Sequence, residues 1–198
     1  MTAGLPFGMK KLMMHLALLG LLLSTARFAV AQEAPDPKLR ELLRAVASEA
    51  DSFDDHYAAQ VWLTDMSSRL ERQVADPEER LRILNRVHYE ATRQDLPPEL
   101  VLAVIDVESN FDRYAVSVAG ALGLMQVMPF WTSEIGRPND NLIHIETNVR
   151  YGCTILKYYM DMEKNDLTQA LARYNGSRGQ RKYPNKVLDK LRLKWHRI

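Results

Sequence analysis

One cysteine in 198 residues leaves no partner for an internal disulfide and no cysteine-based metal site. Nine glycines and nine prolines are too few for a collagen-like or low-complexity chain. Neither sign of charge dominates. Lys and Arg number 26 against 25 Asp and Glu, a formal net charge of +1. A protein built wholly around phosphate contacts needs a large basic excess, so no nucleic-acid partner is expected. His56, His88, His144 and His196 are scattered without the paired spacing of a metal site. The glycine-rich turns lack the lysine of a phosphate-binding loop. No metal and no cofactor are therefore expected. What remains is 46% hydrophobic and 26% charged, the balance of one globular domain, or of one domain with a small appendage.

Lys10 and Lys11 precede an apolar stretch from Leu12 to Leu23, interrupted by His15 and Gly20. Small residues follow and end in Ala29-Val30-Ala31. A basic start, a short apolar run and an A-x-A end describe a secretory signal peptide over residues 1–31. A membrane anchor is the alternative, but it needs about 20 continuous apolar residues, and Ser24, Thr25 and Arg27 break this run. The expected product is exported, periplasmic or otherwise in the cell envelope, and soluble after cleavage. No cysteine adjoins the cleavage point to carry a lipid. Cys153, inside a helical pattern, reads as a small buried apolar residue.

Beyond residue 31 the chain reads as helix. Ala59, Leu63, Met66 and Leu70 recur at helical spacing, as do Leu39, Leu42, Leu43 and Val46. Asp76-Pro77-Glu78-Glu79 combines an N-cap, a first-position proline and a glutamate three residues past the cap. Leu81, Leu84, Val87, His88 and Ala91 supply the apolar stripe that follows. A second unit opens at Leu96-Pro97-Pro98, since a proline pair can start a helix but not lie within one. Val149, Cys153, Leu156 and Met160 mark a further helix, and Asp166-Leu167-Thr168-Gln169 opens a short one that stops at Asn175-Gly176. The expected fold class is mainly α, with at most a small β-ribbon near residues 123–127. The expected organisation is an N-terminal helical region over 32–95 and a catalytic domain over 96–198.

Glu108 carries the first chemical signal. Val101, Val104 and Ile105 precede it by seven, four and three positions, on the same helix face. A carboxylate on an apolar face is costly to bury while charged and responds by holding its proton. The helix C-terminus disfavours negative charge and pushes the same way. A carboxyl group still protonated near neutrality suits a general acid. The spacing alone equally admits a surface glutamate or an ion-paired one. Asp106 lies about 160° around the helix from Glu108 and reads as a solvent-facing residue. Asp112 lies past the helix and remains a candidate second carboxylate.

Val107-Glu108-Ser109-Asn110-Phe111 resembles the Glu-Ser signature of lytic transglycosylases with an SLT-type, goose-lysozyme-like catalytic domain. Three further stretches match that family in order: residues 120–129 (GALGLMQVMP), 148–152 (NVRYG) and 170–176 (ALARYNG). The resemblance covers about residues 96–179. It implies a lysozyme-like helical fold and cleavage of the β-1,4 bond between N-acetylmuramic acid and N-acetylglucosamine in peptidoglycan. Glu108 would be the sole general acid/base, and the product would carry a 1,6-anhydro end. Ser109 would hydrogen-bond near the catalytic centre, and Met125 and Gln126 would line the sugar groove. Tyr174 and Asn175 would hold the sugar beside Glu108, while Gly152 would permit close helix approach. Peptidoglycan glycan strands would be the binding partner, with cell-envelope assembly proteins as a further partner class.

The chain departs from the family pattern in two places. Arg173 stands where many members have Ala, and would alter the groove edge. Phe130-Trp131 replaces small residues, offering a sugar platform or a core contact. A lysozyme-type hydrolase using water and a noncatalytic wall-binding protein are the alternatives. Charge is also uneven. Residues 33–95 carry 14 acids and 9 bases, whereas residues 173–198 carry 9 bases and one acid. The basic end suits an anionic wall polymer, or is simply the solvated face of an amphipathic helix through Val187, Leu191 and Trp195.

Overall fold

Aspartates cap three of the helices in the computed structural model of the chain, which describes residues 52–53, 55–137 and 139–196. The Asp55 carboxylate accepts from the Ala58 amide and opens α1, His56–Leu70. Asp76 accepts from the amides of Glu78 and Glu79 at the head of α2, Pro77–Arg93, with Pro77 in the first turn as the sequence predicts. Asp166 caps α6, Leu167–Tyr174, through the Gln169 amide. Between these lie α3 (Pro98–Glu108), the short α4 (Trp131–Ile135) and α5 (Ile145–Met162). Helix α7, Lys182–Lys190, runs into a π-helical turn, Leu191–Trp195. The signal-peptide segment and the Leu39–Val46 periodicity lie outside the described residues.

The described part is α-helical, and its only β-type pairing is two isolated antiparallel bridges, Val116 with Leu122 and Leu122 with Val127. The expected ribbon is reduced to these bridges. Spacing predicted most of the core, with Met160 only partly buried. Ala59, Leu63, Met66 and Leu70 of α1 are fully buried, as are Leu84, Val87 and Ala91 of α2 and Val149, Cys153 and Leu156 of α5. Each large aliphatic in this set contributes about 1.5–3 kcal/mol through burial. His88 is half-buried instead, with its ring stacked on Phe53 at 3.5 Å between centroids.

Helix α3 is the centre of this arrangement. Leu100 to Ile105 are all buried, so the helix is covered on every side instead of one. Trp62 of α1 donates its indole N–H to Glu99 at the first turn (2.9 Å). Helices α2, α7 and the π-turn pack around the rest of α3, which leaves Glu108 at its open end. The sequence placed Asp106 on the solvent face. The structure corrects this: Asp106 is 5% exposed, because α7 and the π-turn cover the side of α3 opposite the apolar stripe.

Candidate active site

Glu108 is the last residue of α3, and the chain turns sharply beyond it. Asn110 and Phe111 both adopt positive φ, at 52° and 67°, which ends the helix and redirects the backbone away from the carboxyl group. Ser109 secures this corner by donating its hydroxyl to the Leu124 carbonyl (2.8 Å) and the Ile105 carbonyl (3.3 Å).

A cavity of about 300 Å³ opens at Glu108 and Val107. Asn175, Ser177 and Gln180 from the segment after α6 form one wall, and Lys182, Tyr183 and Lys186 of α7 form another. The Tyr183 phenol donates to Glu108 Oε1 at 2.6 Å. Burial pushes the Glu108 carboxyl up from 4.5 to about 7, the Tyr183 hydrogen bond opposing it only in part. Burial also raises Tyr183 well above the ordinary phenol range, and the Glu108 charge adds to it. Tyr183 is therefore a neutral donor at any physiological pH, fixed on a carboxyl group that exchanges its proton near neutrality.

The remaining expected site residues fall into two groups. Asn175 lines the cavity with Glu108. Met125, Gln126 and Tyr174 instead build the loop that backs it. The Met125 side chain is fully buried and does not line the cavity. It sits over Gly152, where an added Cβ would fall 2.2 Å from its sulfur, so Gly152 does permit close approach. The Tyr174 hydroxyl donates to the Met125 carbonyl (2.8 Å). Gln126 uses its amide N–H₂ on the carbonyls of Ala115 (3.1 Å) and Gly123 (3.0 Å), so these donors are engaged within the loop. Arg173 pairs with Glu163. Trp131 packs partly buried against the core, while Phe130 beside it is 55% exposed.

Asn148 organises this loop from α5. Its Oδ1 accepts from the Met125 amide (2.7 Å), and its Nδ2 donates to the carbonyls of Leu122 (2.8 Å) and Leu142 (2.7 Å). Gly123 has φ +72°, and a Cβ there would meet Asn148 Nδ2 at 2.5 Å.

Among the described residues, Glu108 is the one carboxylate that lines the cavity. Asp112 is exposed and caps its own turn through the Tyr114 amide (2.9 Å). Asp106 is fully committed elsewhere. Lys190 Nζ (2.7 Å), Lys194 Nζ (3.1 Å) and Trp195 Nε1 (3.0 Å) all donate to its carboxylate. Burial alone would raise the Asp106 carboxyl, but hydrogen bonds and charge from the two lysines hold it below the ordinary range. No cluster of His, Cys, Asp and Glu able to hold a metal occurs among the described residues.

With this geometry in place, comparison with known proteins is decisive on family. The transglycosylase SLT domain matches residues 86–193, more than half of the chain. The chain belongs to the transglycosylase SLT family. That match encloses Glu108, Tyr183 and both lysines of the cavity. Among relatives, a transglycosylase of Enterobacteria phage PRD1 is 30% identical over 110 residues, covering 52% of this chain and 40% of that protein. A membrane-bound lytic murein transglycosylase C of Histophilus somni (strain 2336) is 29% identical over 114 residues, covering 50% of this chain and 31% of that protein. A solved structure of lytic transglycosylase Slt from Pseudomonas aeruginosa, an inactive variant, is 22% identical over 73% of this chain and 30% of its own, with a TM-score of 0.45. This SLT chain thus spans 40% or less of the length of these relatives.

Tyr183, Lys182 and Lys186 were missed in the sequence. Tyr183 lies 75 residues beyond Glu108, and nothing near Glu108 points to it. The available signal was the Lys182-Tyr183-Pro184 start of a strongly amphipathic final helix, directly after a predicted site motif.

Proposed function

We propose that this chain is an exported peptidoglycan lytic transglycosylase with Glu108 as its only general acid/base. The carrying observation is a single carboxyl group, poised near neutrality in a cavity that no other Asp or Glu among the described residues lines. Ordinary glycosidases need two carboxyls, about 5–5.5 Å or about 6.5–9.5 Å apart. One carboxyl suffices when the substrate supplies its own nucleophile.

Glu108 gives its proton to the glycosidic oxygen as the bond from that oxygen to the anomeric carbon breaks. The resulting carboxylate takes the proton from the C6 hydroxyl of the N-acetylmuramic acid. The C6 oxygen then bonds to the anomeric carbon and closes a 1,6-anhydro ring. No water is consumed and Glu108 ends protonated, ready for the next strand. Tyr183 holds the carboxyl in place by its bond to Oε1, leaving Oε2 for the proton. Asn175 offers an amide to the sugar from the facing wall. Behind them, the side chains of Ser109, Gln126 and Tyr174 tie the loop by donating to the carbonyls of Leu124, Gly123 and Met125. The features of residues 1–31 support export, and the names of the murein transglycosylase relatives support a wall substrate.

Digestion of purified sacculi tests this reading. Mass spectrometry should find anhydro-muramyl ends with the wild type, and Glu108→Gln should lower turnover by about 10²–10⁴-fold. Reducing ends instead would identify a hydrolase that uses water. Sacculus binding without cleavage by the wild type would identify a wall-binding protein.

A further inference from the structure

Lysine recurs at every fourth position along the C-terminal helix, at Lys182, Lys186, Lys190 and Lys194. On an α-helix that spacing makes one row, drifting about 40° per step. The structure splits the row. Lys190 and Lys194 close on Asp106 and are structural. Lys182 and Lys186 are exposed, line the Glu108 cavity, and form no ion pair among the described residues. Glu108 is the sole acidic residue of that lining, and it is held largely uncharged below neutrality. The other wall is neutral amide and hydroxyl, from Asn175, Gln180 and Ser177.

Residues four apart on a helix bring their Cβ atoms within about 5–6 Å, so both ammonium groups can reach one anion. Two uncompensated cations on the wall of a cavity concentrate anionic ligands there and bond best to a carboxylate. We propose that Lys182 and Lys186 bind a carboxylate carried by the glycan strand, and so make the enzyme prefer carboxylate-bearing strands over neutral ones. This rests on the transglycosylase reading above. The carboxylate has two sources on such a polymer. One is the lactyl group of N-acetylmuramic acid, free only where no peptide is attached. The other is the peptide stem, whose own carboxylates are present when the lactyl group is amidated.

The test uses the full chain in two forms, active protein for turnover and Glu108→Gln for binding. Three strand preparations are compared: stems intact, stems removed by an amidase, and all carboxyls capped as amides. Binding by Glu108→Gln should weaken about tenfold from carboxylate-bearing to capped strands, the size expected of two partly screened ion pairs. Adding Lys182→Ala and Lys186→Ala should erase that difference, and Lys182→Arg with Lys186→Arg should restore it. Whichever carboxylate-bearing preparation binds more tightly names the source. The ratio of kcat/KM between native and capped strands should follow the same pattern in the active protein. Equal binding of capped strands, or a preference that survives the double alanine change, overturns the proposal. If no strand is cleaved but the lysine-dependent preference remains, the lytic reading fails and the anion site stands. Circular dichroism checks the fold of the double variant, and single Lys182→Gln and Lys186→Gln changes replace it should it unfold.

Discussion

Glu108 obtains a proton near neutrality from its surroundings, and Tyr183 sets the limit. Desolvation raises the carboxyl, while the phenol stabilises the charged form and lowers it. Removing the phenol hydroxyl therefore shifts the balance in one direction. In Tyr183→Phe, the alkaline fall of kcat/KM, set by loss of the Glu108 proton, should move up by roughly one pH unit. kcat should fall at every pH because Oε1 loses its side-chain anchor. A pH–rate profile of both proteins checks this, and an unmoved alkaline limb would show that Tyr183 does not bear on Glu108. At this scale the candidate acid was readable and its hydrogen-bond partner was not. Val101, Val104 and Ile105 place Glu108 on an apolar face by spacing alone, whereas Tyr183 meets it only through the docking of a distant helix. Gln126 illustrates the converse. Its amide reads as a sugar ligand, and the spacing gives no hint that its N–H₂ donates to the Ala115 and Gly123 carbonyls of its own loop.

Between elements, one side chain of α5 ties the loop from Ser109 to Phe130 to the segment at Leu142. Asn148 is needed as an amide, because its three partners are one donor and two acceptors. Aspartate has nearly the same shape but offers only acceptors. Asn148→Asp should therefore destabilise the fold by about 2–4 kcal/mol, by setting a carboxylate against the Leu122 and Leu142 carbonyls. Chemical denaturation measures the loss, and a change under 1 kcal/mol would count against the clamp. The helices themselves were legible, since the 3.6-residue period of α1, α2 and α5 marks their buried faces directly. The tie between α5 and the loop was not, because Asn148 and Met125 are joined by hydrogen bonds across 23 positions. Asp106 shows the same limit. Its angle around α3 is as the sequence implies, but angle says nothing of what covers that side.

Across the whole molecule, Asp106 joins the centre of the core to the end of the chain. Its carboxylate gathers Lys190, Lys194 and Trp195, so the helix bearing Tyr183 is anchored to the helix bearing Glu108 at a second point. The lysines hold the folded-state pKa below 3.8. A depressed carboxyl stabilises the fold fully above its unfolded value, and the benefit is lost as pH falls through the lower, folded one. Asp106→Asn should cost about 2 kcal/mol at pH 7, a figure reduced because both lysines remain partly exposed. Urea unfolding at pH 7 and again near pH 3 should show the gap to the wild type shrinking in acid, and a constant gap would exclude the linkage. The near-zero net charge of the chain conceals this division of labour, in which one basic row serves as anchor at one end and cavity wall at the other. Cys153, the chain's one thiol, is fully buried in α5, and desolvation pushes it far above the usual thiol range. With its single thiol sealed in the core, the chain presents no thiol for disulfide exchange until that core opens, so it can fold alike in reducing and oxidising surroundings, with no internal mispairing to undo.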